Sequence, residues 1–204
     1  MEEKKLSRKE REFLRHRQEI LESALELFSE KGFHNITMHQ IAGESEFAVG
    51  TLYKFFANKE DLYKALILEK SDEFHSTLMK AIDSGGDEME CIRGFLDTHI
   101  TLFMENLKFV RLYFAETRGA SFNIRAGLDE ELRDRYDQIL EKLADIFKRG
   151  IRKGLFKKFD PLLMATALNG ITRALLFQRL DHGDEHPFDA DMIIKIFFGQ
   201  VFEE

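Results

Sequence analysis

Between Thr37 and Asp61 the chain reads TMHQIAGESEFAVGTLYKFFANKED, and several residue types there suit contact with a nucleic acid. Leu52 and Phe56 lie one helical turn apart, which assigns them to an inner face and leaves Val49, Gly50, Thr51, Tyr53 and Lys54 outward. Val49 and Thr51 offer methyl groups to a thymine methyl, and the Thr51 hydroxyl can bond a base edge. Gly50 has no side chain, so its backbone can lie close against DNA. His39 can reach a base edge or a phosphate.

The local elements follow from the same stretch. Thr37 with Gln40 forms a capping box, so a helix starts there with Ile41 and Ala42 inward. Gly43 to Phe47 carries turn chemistry, and Ala48 to Phe56 resumes a helix. Asn58 and Asp61 form a second capping box at the start of a long helix, Lys59 to about Ala81. Upstream, residues 1–10 read as a charged arm. A helix from about Lys9 to Lys31 then carries Leu14, Leu21, Ala24, Leu25 and Phe28 on one face and stops at Gly32. Two short helices on so tight a turn cannot bury a core alone. They read as a helix-turn-helix braced by longer helices, with the second in a DNA major groove.

Gly32-Phe33, Thr37, Ile41-Ala42, Gly50-Thr51-Leu52-Tyr53, Phe56 and Asn58-Lys59-Glu60-Asp61-Leu62 together resemble the N-terminal domain of the TetR family of transcriptional repressors, over residues 11–62. The resemblance implies a DNA-binding domain over 1–62 and a helical ligand-binding and dimerisation domain over 63–204, the boundary falling inside the fourth helix. It also implies that Tyr53, Lys59 and Thr37 hold phosphates. Glu46 stands where the family's turn usually has glycine, which predicts a positive φ, and Ala48 stands where a serine often caps the recognition helix. A weaker likeness over Arg149 to Ala174 covers the joint between the family's two core helices. In that family the C-terminal domains pair about a two-fold axis and hold a small-molecule inducer.

Beyond the break Asp83 to Asp87, the pattern predicts helices over 88–106, 108–116, 128–153, 161–180 and 189–202. Thr117 to Gly127 reads as a connection, and Asp160-Pro161 as an N-cap followed by proline at the first helical position. No alternating strand pattern occurs, so the fold class is all-α. One cysteine, Cys91, excludes an intrachain disulfide and a cysteine metal cluster. The charged N-terminus is unlike a signal peptide, and the apolar runs are too short to span a bilayer, which places the protein in the cytoplasm without a membrane partner. The net charge of −7 argues against non-specific coating of nucleic acid. Residues 1–60, with 10 Lys and Arg against 11 Asp and Glu, are the less acidic end.

Phe74, Leu78, Phe95, Phe103, Phe114, Phe122 and Phe177 are candidate walls of an apolar ligand pocket, with His99, Arg111, Tyr113, Glu116, Asn169 and Arg173 as its polar groups. For any one of these, ordinary core packing is the competing explanation. The last two helices are apolar on most sides, which predicts a two-fold interface through Leu176, Leu180, Ile193, Phe197 and Val201. The histidines and acids of Asp181 to His186 read as a solvated loop rather than a metal site, and the basic run Lys148 to Lys158 as a helix C-terminus. Phosphate-loop, Gly-x-Ser-x-Gly and His-Glu-x-x-His motifs are absent, so neither enzyme nor cofactor is expected. The expected function is an inducer-released repressor acting as a homodimer on a near-palindromic operator. The alternative is a small-molecule-binding or interaction module without specific operator recognition.

Overall fold

In a computed structural model of the chain, residues 6–119, 122–182 and 188–199 are described, those of 114–129 and 181–182 through their backbone alone. The described residues form only helices: α1 (Arg8–Lys31), α2 (Met38–Glu44), α3 (Val49–Phe55), α4 (Lys59–Ile82), α5 (Glu88–Glu105), α6 (Leu107–Gly119), α7 (Phe122–Arg152), α8 (Pro161–His182) and α9 (Ala190–Phe198), with a 3-10 turn at Phe33–Asn35. The chain divides into two compact units. One comprises Met1–Lys70 with Lys108–Leu128, the other Ser71–Leu107 with Asp129–Glu204.

In the first unit α1 begins at a capping box. The Ser7 hydroxyl accepts from the Glu10 amide at 3.2 Å, and the Glu10 carboxylate accepts from the Ser7 amide at 2.7 Å. Those bonds, the Ser7 side chain first, hold the Glu10 carboxyl below its usual range. The region expected as a loose arm is thus helical from Arg8 onward. Leu21, Ala24 and Phe28 are buried as expected, but Leu14 is 49% exposed, because this end of α1 runs past the core. Gly32 ends the helix at φ 78°, its N–H donating to Phe28 O at 2.9 Å. That turn brings the Phe33 ring to 5.4 Å from Phe28 and 5.0 Å from Tyr63. Three rings from α1, the 3-10 turn and α4 thereby close one side of the core.

In the second unit ion pairs tie the helices to one another. Asp72 meets Arg135 at 2.7 Å, Asp83 meets Lys142 at 2.7 Å, and Arg93 of α5 pairs with Asp191 of α9. Glu88, at the start of α5, is almost fully buried and is reached by Lys153 at 2.8 Å and Arg149 at 3.6 Å. The hydrogen bond from Lys153, more than the Coulomb attraction, keeps its carboxyl below the usual range despite burial. Two basic residues of the Lys148–Lys158 run therefore clamp α7 to α5. Gly150 makes room for the ring of Phe156, since a Cβ there would collide with it. Phe156 in turn stacks on Phe198 at 5.2 Å and packs at a tilt against Phe147 at 5.6 Å.

Two boundaries differ from the sequence expectation. α7 begins at Phe122, so the segment expected as a connection is largely helix. Gly127 costs about 1 kcal/mol in a helix interior, a penalty that a helix of 31 residues absorbs. Asp189 is the N-cap of α9, accepting from the Met192 amide at 2.8 Å. α9 ends at Phe198 rather than running on to Phe202, because Gly199 turns extended and caps it, its N–H donating to Lys195 O at 2.7 Å; residues 200–202 lie outside the described residues.

Candidate nucleic-acid interface and ligand site

Within the first unit, α2 and α3 form the expected pair. The Thr37 hydroxyl accepts from the Gln40 amide at 3.3 Å, and the Gln40 side chain accepts from the Thr37 amide at 2.9 Å. Ile41, Ala42, Leu52 and Phe56 are buried at 3% exposure or less, which fixes the roll of both helices. That roll leaves Thr37, His39, Gly50, Tyr53 and Lys54 exposed and Val49 and Thr51 partly so. A Cβ on Gly50 would meet nothing within 4 Å, so glycine serves no packing need of the chain there. The turn is made by Glu46 at φ 56°, the left-handed conformation that its non-glycine position implied. Ala48 caps α3 without a side-chain hydrogen bond.

Lys59 is placed differently from the other outward residues. Its ammonium donates to Phe33 O and Ile36 O, each at 2.8 Å, and lies 4.3 Å from the centre of the Phe33 ring. It thereby ties the start of α4 to the chain just before α2. Asn58 caps α4, accepting from the Asp61 amide at 2.7 Å, while Asp61 reaches back to the Ala57 amide rather than to Asn58. Sequence reasoning missed the contribution of α1. Phe13 packs on Phe55 at 4.5 Å and His16 on Phe47 at 5.0 Å. Arg17 lies 5.2 Å from the centre of the Phe56 ring and pairs with Glu69, partial burial lowering its pKa. Phe13 was legible only as an aromatic one turn from Arg17 on a charged helix.

The second unit brings together part of the candidate pocket. α5 presents Phe95, His99 and Phe103 at successive four-residue steps, and α8 presents Asn169, Arg173 and Phe177 at the same spacing. Phe103 meets Phe177 edge-on at 6.3 Å, and Phe95 lies 5.5 Å from His99. His99 is partly buried as a residue, but its Nδ1 is wholly buried and has no hydrogen-bond partner. Burial, and secondarily the charge of Arg173, lowers its pKa from 6.5 to about 4, so the ring is neutral at neutral pH. Arg173 is exposed and lies 5.8 Å from the centre of the Tyr136 ring. Leu78 and Asn169 are buried and Phe74 is half-buried. The Nε2 of His75, beside Phe74, is also buried without a partner, and no sequence pattern distinguished it.

Other candidates lie elsewhere. Arg111 and Tyr113 belong to the first unit, where Arg111 is exposed and Tyr113 lies 6.2 Å from Phe109. The side chains of Phe114, Glu116 and Phe122, residue Val201 and most of the Asp181–His186 loop lie outside the described residues. Leu176 and Ile193, expected to face a second chain, are instead 1% and 0% exposed within their own. Both helices are apolar on most sides, and the chain's own core takes up this face. Leu180 and Phe197 are half-buried. The outward apolar residues of the same helices are Leu162, Leu163, Met192 and Ile196, each 45–64% exposed. No group of three metal-ligating residues assembles, and no helix is long and apolar enough to cross a membrane, among the described residues.

The family described as bacterial regulatory proteins, tetR family, matches residues 20–66, the span of α1 to α4 that carries the buried face just described. The HTH-type transcriptional regulator YfiR of Bacillus subtilis is 31% identical over 155 residues, covering 71% of this chain and 69% of that protein. The fatty acid metabolism regulator protein of the same organism is 27% identical over 140 residues, covering 69% and 70%. Among solved structures, the transcriptional regulator FadR from Bacillus subtilis in complex with stearoyl-CoA superposes with a TM-score of 0.73 at 22% identity, covering 90% of this chain and 98% of that one. At that identity the likeness speaks for the fold.

Proposed function

Since the chain belongs to the TetR family of bacterial transcriptional regulators and is no enzyme, we propose that it is a repressor acting as a homodimer on a near-palindromic operator. A small, largely apolar ligand releases it. Residues 1–62 serve as the DNA-binding domain and 63–204 as the ligand-binding and dimerisation domain. The observation that carries this reading is the roll of α3. Leu52 and Phe56 are locked in the core, so Val49, Gly50, Thr51, Tyr53 and Lys54 form the face offered to a major groove. Thr51 and Val49 read base edges, Tyr53 and Lys54 hold phosphates, and Thr37 and His39 support them from α2. Lys59 acts chiefly by fixing α4 to the chain preceding α2.

The ligand reading rests on His99. A buried imidazole nitrogen without a partner is costly unless something bonds it, and the Phe95 ring lies beside this one, with the Phe103–Phe177 pair further along the same two helices. An apolar chain or ring with a terminal oxygen suits it, the oxygen meeting His99 and Arg173. A relative that regulates fatty acid metabolism, and a similarly folded one bound to stearoyl-CoA, agree with an acyl ligand. Such a ligand displaces the protein from DNA only through unequal affinity for the DNA-bound and released states. Two copies pair through the outward faces of α8 and α9, where Leu163, Met192 and Ile196 are exposed.

Binding of the purified protein to DNA from its own upstream region, titrated with salt, tests the reading. Salt-sensitive, sequence-specific binding relieved by acyl compounds is the expected result. Salt-sensitive binding without sequence preference contradicts it. A thermal-shift screen that returned only sugar-like, highly charged binders would sink the ligand assignment.

A further inference from the structure

The first two turns of α1 have no core to account for them. Residues from Leu6 to Arg15 are all exposed, including Phe13 and Leu14 at 49% each, yet Ser7 and Glu10 cap the helix as carefully as any other in the chain. Their charge runs against the rest of the molecule. Over residues 8–17 stand Arg8, Lys9, Arg11, Arg15 and Arg17 against only Glu10 and Glu12, in a protein of net charge −7.

Position gives that charge a direction. Phe13 is stacked on Phe55, at the end of α3, and His16 on Phe47, in the turn before α3. This end of α1 is therefore fastened alongside the recognition helix within a single compact unit. Arg8 and Arg15 lie two turns apart on one stripe, and Lys9 lies two turns from His16 on the adjoining one. Arg8 and Arg15 thus form one exposed stripe, and Lys9 lies on the adjoining stripe, the one that carries the His16 contact. Arg8 and Lys9 make no hydrogen bond or ion pair among the described residues. Arg15 has only a 3.9 Å approach to Glu19 and a 3.3 Å contact with His16. Arg11 lies one turn from both Arg8 and Arg15 on the same stripe and is held by Leu6 O at 2.5 Å.

We propose that the first two turns of α1 form a second DNA-backbone contact, in which Arg8, Lys9 and Arg15 hold phosphates flanking the groove that α3 enters. The inference rests on the operator-binding reading and extends it to a part of the chain that precedes the matched residues 20–66. DNA is the occupant that both arguments select. The surface is continuous with the α3 face, and its charge is complementary to a phosphate backbone rather than to the chain's own acidic surface. Glu12 lies among the three cations and opposes the contact.

Fluorescence anisotropy of the full-length protein on an operator duplex, titrated with salt, tests the proposal. With Arg8, Lys9 and Arg15 all changed to Gln, the slope of log K against log salt falls by roughly two to three units per subunit. Affinity at physiological salt falls roughly tenfold or more, while base preference is unchanged. Glu12→Gln raises affinity, and Phe13→Ala lowers the salt slope although every cation is retained. Far-UV circular dichroism confirms that the helix persists in each variant. An unchanged slope in the triple variant overturns the proposal, as does a loss confined to particular base pairs, which assigns the effect to α3. A wild-type protein that binds operator and scrambled duplexes alike overturns the operator reading itself, and this inference with it.

Discussion

Thr51 and Tyr53 are two positions apart on α3, and the proposed function gives them different tasks. Thr51→Ala should relax preference at particular base pairs while leaving the salt slope as it is. Tyr53→Phe should weaken binding to every sequence about equally. Competition binding with singly substituted duplexes separates the two. Lys59→Ala should lower the melting temperature as well as DNA affinity, because its ammonium ties Phe33 O and Ile36 O. The spacing of α3 revealed its outward residues. The inward turn of Lys59 was hidden, since a lysine at a helix start reads as solvent-facing until its neighbours are placed. His99 makes a prediction of another kind. Its pKa of about 4 in the fold lies below the ordinary 6.5, so between those values the unfolded chain binds a proton that the fold refuses. Stability is therefore lost as pH falls through that window, by at most about 3 kcal/mol at 1.36 kcal/mol per pKa unit. Urea unfolding from pH 7 to pH 4 should show a shallower decline in His99→Leu, and ligand affinity should change while operator affinity does not.

At the scale of elements, capping and glycine placement explain most of what the sequence announced. Thr37 with Gln40, Asn58 before α4 and Gly32 after α1 were readable because a cap is decided by residues within one turn of it. The start of α7 was not readable. Its first residues include Asn123 and Gly127, weak helix formers, and long helices override local preference through packing. The buried face of α1 also stops short of Leu14, since an apolar residue continues a stripe whether or not a core lies beneath it. Ala48 remains the weak point of the recognition helix. Ala48→Ser supplies the missing side-chain cap and should stabilise the N-terminal unit by about 0.5–1 kcal/mol, measured by thermal unfolding. Gly150→Ala acts in the opposite sense. It displaces Phe156 from Phe147 and Phe198 and should loosen the joint between α7 and α8.

For the whole molecule, the all-helical class and the DNA-binding end were legible because short capped helices and a tight turn admit few arrangements. The candidate ligand site was only half legible. The four-residue spacing of Phe95, His99 and Phe103 placed them on one face, but the α8 residues opposite them depend on packing that no local pattern encodes. The interface shows the same limit. Apolar helices implied a partner, yet which residues face it depends on how the chain covers Leu176 and Ile193 itself. Leu163 and Ile196 are the outward positions, so Ile196→Asp, or Leu163→Asp with it, should yield a monomer by sedimentation and weaken operator binding. A wild-type protein that sediments as a monomer at micromolar concentration would contradict the dimer. Selection from a random DNA pool by the purified protein, followed by sequencing of the retained fragments, tests the central claim most directly. The account predicts convergence on an inverted repeat whose half-sites are centred about 10 base pairs, or a small multiple, apart. Retained fragments with no common sequence would contradict it.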